Sequence, residues 1–405
     1  MPFRTALSGL NAASADLRVT GNNIANSGTS GFKESRAEFA DVFAMSSTGI
    51  SRTAIGSGVK LAAVTQQFEQ GNIDFTGNSL DLALSGQGFF VLDDGGSRSY
   101  TRDGSFQVDR NGYVVNNGGK RIQAYPVLDQ MEGTFNTGSI GDLQLSTTEA
   151  PPRASTRVGA QLNLNGTAQD LSGTTFDLSD PNTYSYSTSL SVFDSLGQSH
   201  TSTLYFRNVG GLEWEAHMGI DGQQVGGAVP LEFGSDGSLV SPTGTVDFGP
   251  YTAGNGSAPL ELDFDFSRIT QLGSTNSVTA LEQDGYASGR LTGIDIDDSG
   301  IVFARFTNGQ ALSLGQVAVA NFANPQGLQQ AGDNSWVETF AAGDAVFGVA
   351  GEGDFGSMQS GGLESSNVDI AEQLVNMITA QRNFQANAQV ISTADTITQT
   401  IINIR

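Results

Sequence analysis

The sequence predicts a mainly β protein with terminal α-helices. In this fold class the N- and C-terminal helices pair as a coiled coil, a discontinuous β domain follows, and an outer antiparallel β-barrel or sandwich domain is inserted within it. Three observations support the prediction. Apolar residues recur every seven positions near both ends of the 405-residue chain. The long middle alternates polar and apolar residues between turn dipeptides such as Asn-Gly and Gly-Gly. Similar hairpin segments flank a stretch that begins near a pair of prolines.

The first segment, residues 1–24, has the spacing of a coiled-coil seam. Its large apolar residues fall at seven-residue intervals, at Phe3, Leu10, Leu17 and Ile24. An amphipathic helix on a globular core has the same spacing, but no helical segment follows that would complete a local bundle. We therefore expect a distant partner.

The last segment, residues 364–405, carries a matching pattern. The apolar stripe consists of Ile370, Met377, Phe384 and Ile391, widened by Leu374 and Ile401. Ser366 or Asn367 is expected to cap the helix. The opposite face is polar but nearly uncharged, which is typical of a face that contacts protein. Since isolated helices are marginal in water, we expect both ends to become ordered only when many copies associate.

Residues 25–70 are predicted to form an extended connector arm. It is entered through the stretch "NNIANSGTSGFKES", in which glycine and asparagine allow unusual backbone shapes. The residues expected to act as a joint are Asn22, Asn23, Asn26, Gly28, Gly31 and Phe32.

Two β domains are predicted between the ends. Residues 71–145 and 285–363 share a style of short strands around Asp-Gly and Asn-Gly turns, so they are expected to form one discontinuous domain. Residues 146–284 begin at a linker with Pro151 and Pro152 and alternate like an antiparallel barrel or sandwich. This outer domain is expected to be inserted in the first.

Composition excludes several classes of function. The net charge is −23, nearly all of it in the middle, so a nucleic-acid partner is not expected. There is no cysteine, which excludes disulfides and thiolate metal sites. The N-terminus lacks the apolar core of a signal peptide, and no stretch is apolar enough to insert in a membrane.

Searches for catalytic or ligand-binding motifs find none with the right context. His200 and His217 are expected to be exposed strand residues. "GEGDFG", residues 351–356, lacks the strand and helix of a nucleotide site. "DIDDSG", residues 295–300, has Phe306 where a calcium loop needs a glutamate, so a hairpin turn is expected. "DFDF", residues 263–266, alternates as a strand does. The sequence predicts no enzyme, no cofactor and no metal site.

Three separate stretches resemble the flagellar rod and hook proteins, in that family's order. They are "LSGLNAASADLRVTGNNIANSGTSGFKESRAEF" near the start, "SLDLALSGQGFFVL" in the middle, and the segment from "GLESSNVDIAEQ" to the end. Within the family, the long inserted middle favours a hook subunit over the shorter distal rod subunit.

The resemblance implies a structural subunit that assembles helically with copies of itself into a flexible tube. This tube, the hook, would act as a universal joint that transmits torque from rod to filament. The implied partners are the distal rod protein, the hook cap and hook–filament junction proteins, and the flagellar export apparatus. The implied location is the extracellular hook, reached without a cleaved signal peptide. The alternatives are the distal rod protein and a secreted β-rich adhesin or carbohydrate-binding protein.

Overall fold

The computed structural model describes residues 2–42, 56–129, 133–145 and 149–403. Two long helices lie at its ends, α1 at Pro2–Ala25 and α2 at Ile370–Asn403. All the regular structure described between them is β-strand, apart from short 3-10 turns at Pro181–Thr183 and Pro325–Gly327. The prediction of a mainly β chain with a helix at each end is confirmed.

The strands, numbered along the chain, are β1 Ser35–Asp41, β2 Val59–Gln66, β3 Ile73–Phe75, β4 Leu82–Ser85, β5 Phe89–Asp94, β6 Ser97–Thr101, β7 Phe106–Val108, β8 Val114–Asn116, β9 Arg121–Asp129, β10 Thr134–Phe135, β11 Gly141–Asp142, β12 Arg157–Asn165, β13 Tyr186–Phe193, β14 Ser199–Gly210, β15 Glu213–Ile220, β16 Gln223–Phe233, β17 Leu239–Ser241, β18 Thr245–Asp247, β19 Asp263–Asp265, β20 Thr270–Leu272, β21 Ser277–Gln283, β22 Leu291–Ile296, β23 Ile301–Phe306, β24 Ala311–Asn321, β25 Gln329–Gly332, β26 Ser335–Val337, β27 Val346–Val349, β28 Ser357–Ser360 and β29 Gly362–Glu364.

The chain divides into two compact units. The first comprises residues 1–147, 293–305 and 311–405, and the second comprises residues 148–292 and 306–310. The first unit therefore holds both chain ends as well as strands from either side of the second. Its finer division into helical, connector and β layers remains a prediction.

A large sheet in the first unit joins strands from distant parts of the chain. Its main path runs β22-β23-β24-β9-β5-β6-β26-β25. In β5, Phe90 and Leu92 belong to one core cluster, while Phe89 and Val91 belong to another. Successive residues of a strand point to opposite faces, so this sheet is buried on both sides.

Part of the predicted connector is a regular hairpin. Strands β1 and β2 pair in antiparallel register from Ser35 with Gln66 to Asp41 with Val59, with one irregularity after Glu38. Residues 43–55 of the expected arm lie outside the described residues.

The second unit contains two five-stranded sheets that share one core. One is an antiparallel meander, β13 to β17. The other is mixed, because β12 pairs in parallel with β19 and β20 and antiparallel with β21. The expectation of a purely antiparallel domain is therefore wrong. Strand β12 is the first strand of this unit. The chain then passes through the whole of the other sheet before β19 and β20 pair with β12 in the same direction.

Both histidines are buried, which corrects the expectation of exposed strand residues. His200 lies between two carboxylates, with Nδ1 2.6 Å from Asp221 and Nε2 3.4 Å from Asp194. Hydrogen bonds to these carboxylates raise the pKa of His200 although burial opposes the charge. His217 stacks on Phe176, with ring centroids 3.8 Å apart. Both imidazole rings are therefore part of the packed interior of the second unit.

Two motifs behave as the sequence predicts. In "DFDF", Phe264 and Phe266 are fully buried while Asp263 is exposed. In "DIDDSG", Asp297 Oδ1 accepts hydrogen bonds from the backbone N–H groups of Ser299 and Ile301, which closes the turn between β22 and β23.

We predict that Phe264→Ala destabilises the second unit by about 3–5 kcal/mol, because it removes a fully buried ring that packs edge-on against Phe248. Trp214 lies in this unit and Trp336 in the other, so fluorescence of a Trp336→Phe background reports the second unit during urea unfolding. The matched control is Leu272→Ala, which removes a half-exposed side chain and should cost about 0.5 kcal/mol or less. Equal losses for the two variants would contradict the assigned core.

Candidate functional site

The two terminal helices lie side by side and run in opposite directions. Near one end of the pair, the Asn23 amide donates a 3.2 Å hydrogen bond to Gln373 Oε1. Near the other end, Gly9 faces Asn387, and a Cβ at position 9 would come within 2.5 Å of Asn387 Oδ1. The same register holds at both places, and glycine allows the close approach.

Small and polar side chains are the most deeply buried residues of α1. Three of them repeat every seven positions, at Ala6, Ala13 and Thr20, and Ala15 and Asn23 are buried as well. Three of the predicted stripe residues are only half-buried, namely Leu10, Leu17 and Ile24. Phe3 is 51% exposed. The predicted large residues therefore lie at the margin of the buried face, because the close approach at Gly9 favours small side chains.

The predicted stripe of α2 is likewise divided. Gln373 and Ala380 are fully buried. Half-buried positions are Met377, Phe384 and Ile391. Ile370 and Leu374 are about half exposed, and the side chain of Ile401 lies outside the described residues. Their role in assembly stays a prediction.

Asp369 caps α2, and the expectation of Ser366 or Asn367 is wrong. Its carboxylate accepts hydrogen bonds from the N–H groups of Ala371 at 2.8 Å and Glu372 at 3.2 Å. Asn367 instead links two other segments of the chain. Its amide oxygen accepts a hydrogen bond from the backbone N–H of Glu34 at 2.8 Å. Its amide nitrogen donates a hydrogen bond to the carbonyl oxygen of Gln67 at 2.9 Å.

Asn23, expected to be part of a joint, forms three hydrogen bonds through its side chain. Its amide donates to Ser35 O at 2.8 Å and accepts from Ser35 N at 3.0 Å, in addition to its bond with Gln373. Gln373 in turn donates to Glu34 at 2.8 Å. Burial raises the pKa of Glu34, although this bond opposes the rise. These contacts join α1, the start of β1 and α2.

The remaining joint residues fall into two groups. Asn26 and Gly28 follow the end of α1 at the surface, and Asn22 is exposed on its last turn. Gly31 and Phe32 are buried. Gly31 has φ of 66°, lies against the backbone of Asp103, and donates through its N–H to Glu364 O at 2.7 Å. Within one chain Asn23, Gly31 and Phe32 are thus held by hydrogen bonds or packing, and the role of these residues as a joint stays a prediction.

A buried group of three charges lies next to this turn. Glu364 Oε1 is 2.6 Å from Lys33 Nζ, and Glu364 Oε2 is 3.3 Å from Arg102 Nη1. The three residues are 0%, 1% and 4% exposed, respectively. Glu364 also accepts from Gly71 N at 2.9 Å, and Lys33 donates to Glu69 O at 2.6 Å. We call this group the Glu364 clasp.

The two cations of the clasp depend on the negative charge of Glu364. Burial lowers the pKa of Lys33 and of Arg102, while attraction to Glu364 opposes both shifts. A buried ion pair is costly to break, because removing one partner leaves an uncompensated charge away from water. The clasp therefore connects three parts of the chain: the segment after α1, the end of β6 in the large sheet of the first unit, and β29.

Sequence reasoning missed the clasp. Lys33 lies 331 residues from Glu364, and Arg102 lies 262 residues from it. The sequence does contain a weak signal for Lys33. This residue is one of only three lysines in the chain, and it directly follows Gly31 and Phe32.

Ligand chemistry receives no support from the described part of the chain. Within it, no cluster of three His, Cys, Asp or Glu residues has the arrangement of a metal site. Nor does any described helix combine the length and apolarity needed to cross a membrane.

Four protein-family models match the chain. They are flagella basal body rod protein at residues 3–33, flagellar hook protein FlgE/F/G D1 domain at 83–155, flagellar basal body protein FlaE D2 domain at 162–286, and flagellar basal body rod FlgEFG protein C-terminal at 359–404.

Full-length relatives carry one description. The chain is 39% identical over 417 residues to the flagellar hook protein FlgE of Escherichia coli, with 100% of both chains covered. It is 33% identical over 439 residues to that of Borreliella burgdorferi, covering 99% of this chain and 98% of the relative. The crystal structure of Helicobacter pylori flagellar hook protein FlgE2 matches with a TM-score of 0.56 at 14% identity, covering 72% of this chain and 100% of that one. This last match shows a shared fold.

We predict that Glu364→Gln destabilises the first unit by about 3–5 kcal/mol, because Lys33 and Arg102 then remain buried without a counter-charge. Arg102 lies over the ring of Phe89, which contacts Trp336, so Trp336 fluorescence in a Trp214→Phe background follows this unit during urea unfolding. Glu352→Gln, at an exposed carboxylate, is the control and should cost about 0.5 kcal/mol or less. A loss below about 1 kcal/mol for Glu364→Gln would refute the role given to the clasp.

Proposed function

The chain belongs to the flagellar hook protein family, and we propose that its paired ends are the surface through which copies assemble. As a member it is a structural component of the bacterial flagellar hook. The family consists of structural proteins. The function to be explained is therefore self-assembly and a mechanical role in the assembled tube.

The observation that carries the proposal is the character of α2. Only three of its 34 residues are charged, and half-exposed apolar side chains remain at Ile370, Leu374 and Ile378 after it has packed on α1. A helix facing water on its outer side usually carries charge pairs there. Contiguous exposed apolar surface marks a protein interface. We infer that neighbouring copies cover these residues in the tube.

The predicted stripe residues have a natural place in this proposal. Those half-buried in a single chain, such as Leu10 and Phe384, would become fully buried when other helix pairs pack around them. Phe3 and Leu374, exposed in one chain, would be covered only in the tube. The coiled coil of the hook would then be completed between copies.

The mechanism proposed for bending divides the work between layers. A curved rotating tube must shorten each row of subunits on its inner side and lengthen it on its outer side at every turn. Contacts between helices would hold the tube together. Polar, hydrated contacts between the β units, which carry most of the negative charge, would slide and re-form.

The partners and route follow from the same proposal. Copies of this chain are the main partner, with the distal rod protein at one end and the hook cap and hook–filament junction proteins at the other. The subunit would pass through the flagellar export apparatus to form the extracellular hook. Torque from the rod would cross this joint to the filament.

Deleting residues 366–405 tests the proposal. We expect a soluble chain whose β structure is retained by far-UV circular dichroism but which forms no tubes in electron micrographs, since α1 has lost its partner. Tubes formed by the truncated chain would contradict the proposal.

The control deletion removes the second unit instead. Ala150 N donates to Gly289 O at 2.8 Å, so a short Gly-Ser linker can replace residues 151–288. We expect tubes with altered curvature. Wild-type tubes should be curved, whereas straight ones would favour a rod-like subunit.

A further inference from the structure

A segment without strands covers part of the second unit. Residues 166–185, all of which the structure describes, connect β12 to β13 and contain no strand. We call them the strap. Near its start, the N–H of Leu171 donates to Asn208 O at 2.9 Å, and at its end the N–H of Ser185 donates to Phe206 O at 2.8 Å. Most strap side chains are exposed or half-buried. A segment with so few buried contacts opens at a lower free-energy cost than the sheet beneath it.

The strap lies against the face of β14 and β15 that points away from the core. Phe206 and Met218, one on each strand, belong to the core cluster of this unit. Successive residues of a strand point to opposite faces, so Tyr205 and His217, which are cross-strand partners, point the other way. The antiparallel meander is therefore covered on one face by the core and on the other by the strap.

Two apolar side chains of the strap pack on this outer face. Phe176 stacks in parallel on the ring of His217, with centroids 3.8 Å apart, and meets the ring of Tyr205 edge-on at 5.6 Å. Leu178 lies over Gly219, where an added Cβ would collide with the Cδ2 atom of the leucine. The lack of a side chain at Gly219 therefore allows the strap to approach the sheet closely.

The ring of His217 is buried without a hydrogen bond. It is 5% exposed, and among the described residues neither Nδ1 nor Nε2 has a hydrogen-bond partner. Nε2 lies 3.6 Å from Glu215 Oε2, which already accepts a hydrogen bond from Arg207 Nη1 at 2.9 Å. A neutral imidazole fits this site better than an imidazolium, because the added charge would be buried beneath Phe176.

Arg207 places a second cation beside this ring and also holds the strap. Its Nη2 donates to the carbonyl oxygens of Leu171 and Thr174 in the strap. Burial lowers the pKa of His217, attraction to Glu215 opposes this shift, and repulsion from Arg207 adds to it. A proton taken up by His217 would therefore lie close to the cation that holds the strap in place.

The other elements around His217 add no compensating charge. Strand β13 has no charged residue, and the charged residue of β16, Glu232, lies opposite Glu213. Burial raises the pKa of Tyr205, so this neighbour stays neutral at and below pH 7.5. The strap itself has three carboxylates, and each accepts a hydrogen bond from a backbone N–H of the strap: Asp170, Asp177 and Asp180.

We propose that the strap is a pH-dependent switch, which lies closed over the neutral ring of His217 and opens when that ring takes up a proton. In the open form the imidazole faces water and has its ordinary pKa of 6.5. Because the pKa is lower in the closed form, closure is most stable above about pH 6.5 and becomes less stable as the pH falls below it. This inference goes beyond the proposed function, since it concerns one unit of a single chain and requires no assembly.

The other titrating groups of this unit act differently. Burial opposes a charge on His200, but hydrogen bonds to Asp221 and Asp194 raise its pKa, so its contribution to stability is present in acid and is lost as the pH rises. Although burial opposes it, hydrogen bonds lower the pKa of Asp194 to about 2, so this carboxylate loses its contribution only in stronger acid. Between pH 7.5 and 5.5, opening by acid is therefore assigned to His217.

Amide hydrogen exchange of the full-length monomer at pH 7.5 and 5.5, corrected for the intrinsic exchange rate at each pH, tests the switch. Peptides from residues 171–185 should report an opening equilibrium about fivefold or more higher at pH 5.5, since an exposed imidazole is then about ten-to-one protonated. Peptides from β12, whose Val158 and Leu162 lie in the core, should keep their protection at both pH values.

Three variants isolate the ring. His217→Phe keeps an aromatic ring beneath Phe176, and His217→Gln keeps a neutral polar side chain, but neither can take up a proton. In both, strap opening at the two pH values should agree within about twofold. Leu178→Ala is the matched control, because it removes packing over Gly219 and leaves the titrating ring in place. It should increase opening at both pH values and keep the wild-type ratio between them.

Each other outcome overturns the switch. Equal protection of the wild-type strap at pH 7.5 and 5.5 would show that His217 does not control it. An equal loss in the β12 peptides would show that acid opens the whole unit rather than the strap. An acid response that persists in His217→Phe and His217→Gln would assign it to another group. None of these results bears on tube formation, so the proposed function is tested separately.

Discussion

A single carboxylate buried between two cations connects the beginning and the end of this chain. Glu364 immediately precedes the segment that leads into α2, while Lys33 follows the turn after α1. Arg102 brings the central sheet to the same carboxylate. Because all three side chains are buried, Lys33 and Arg102 both depend on Glu364 for a counter-charge. The clasp therefore lies between the segments that lead out of α1 and into α2.

The clasp and the helix pair differ in how completely their side chains are bonded or buried within one chain. Around the clasp, backbone groups and side-chain amides form hydrogen bonds within the chain, as at Gly31 and Asn23. Along the helices, much of the apolar surface stays half exposed, and α2 extends past α1. Threonine hydroxyls in the second half of α2 bond back to carbonyls four residues earlier, a pattern that weakens a helix. The base is therefore held within the chain, and we expect the helical part to depend on neighbouring copies.

Local patterns in the sequence were sufficient for the elements but not for their long-range contacts. Seven-residue spacing predicted both helices, and alternation with turn dipeptides predicted β structure between them. Spacing alone could not show that Ala6 and Ala13 are buried more deeply than Leu10, because the close approach at Gly9 depends on the partner helix.

The errors share a physical cause. The clasp joins residues hundreds of positions apart, and no local pattern predicts which lysine and glutamate will be buried together. The parallel pairing of β12 depends on the path of the chain through a whole second sheet. The burial of His200 depends on Asp194 and Asp221, which lie on different turns. Each feature is set by tertiary packing, which overrides local preference.

We expect the clasp to be formed in a single subunit, whereas the helix pair becomes rigid only among neighbours. Amide hydrogen exchange followed by mass spectrometry, on dilute monomer and on tubes of the same protein, tests this directly. Slow exchange at Gly31 and Gly71 in both states, with α1 and α2 exchanging fast in the monomer and slowly in tubes, is the predicted result. Equal protection of both helices in monomer and tubes would contradict the claim.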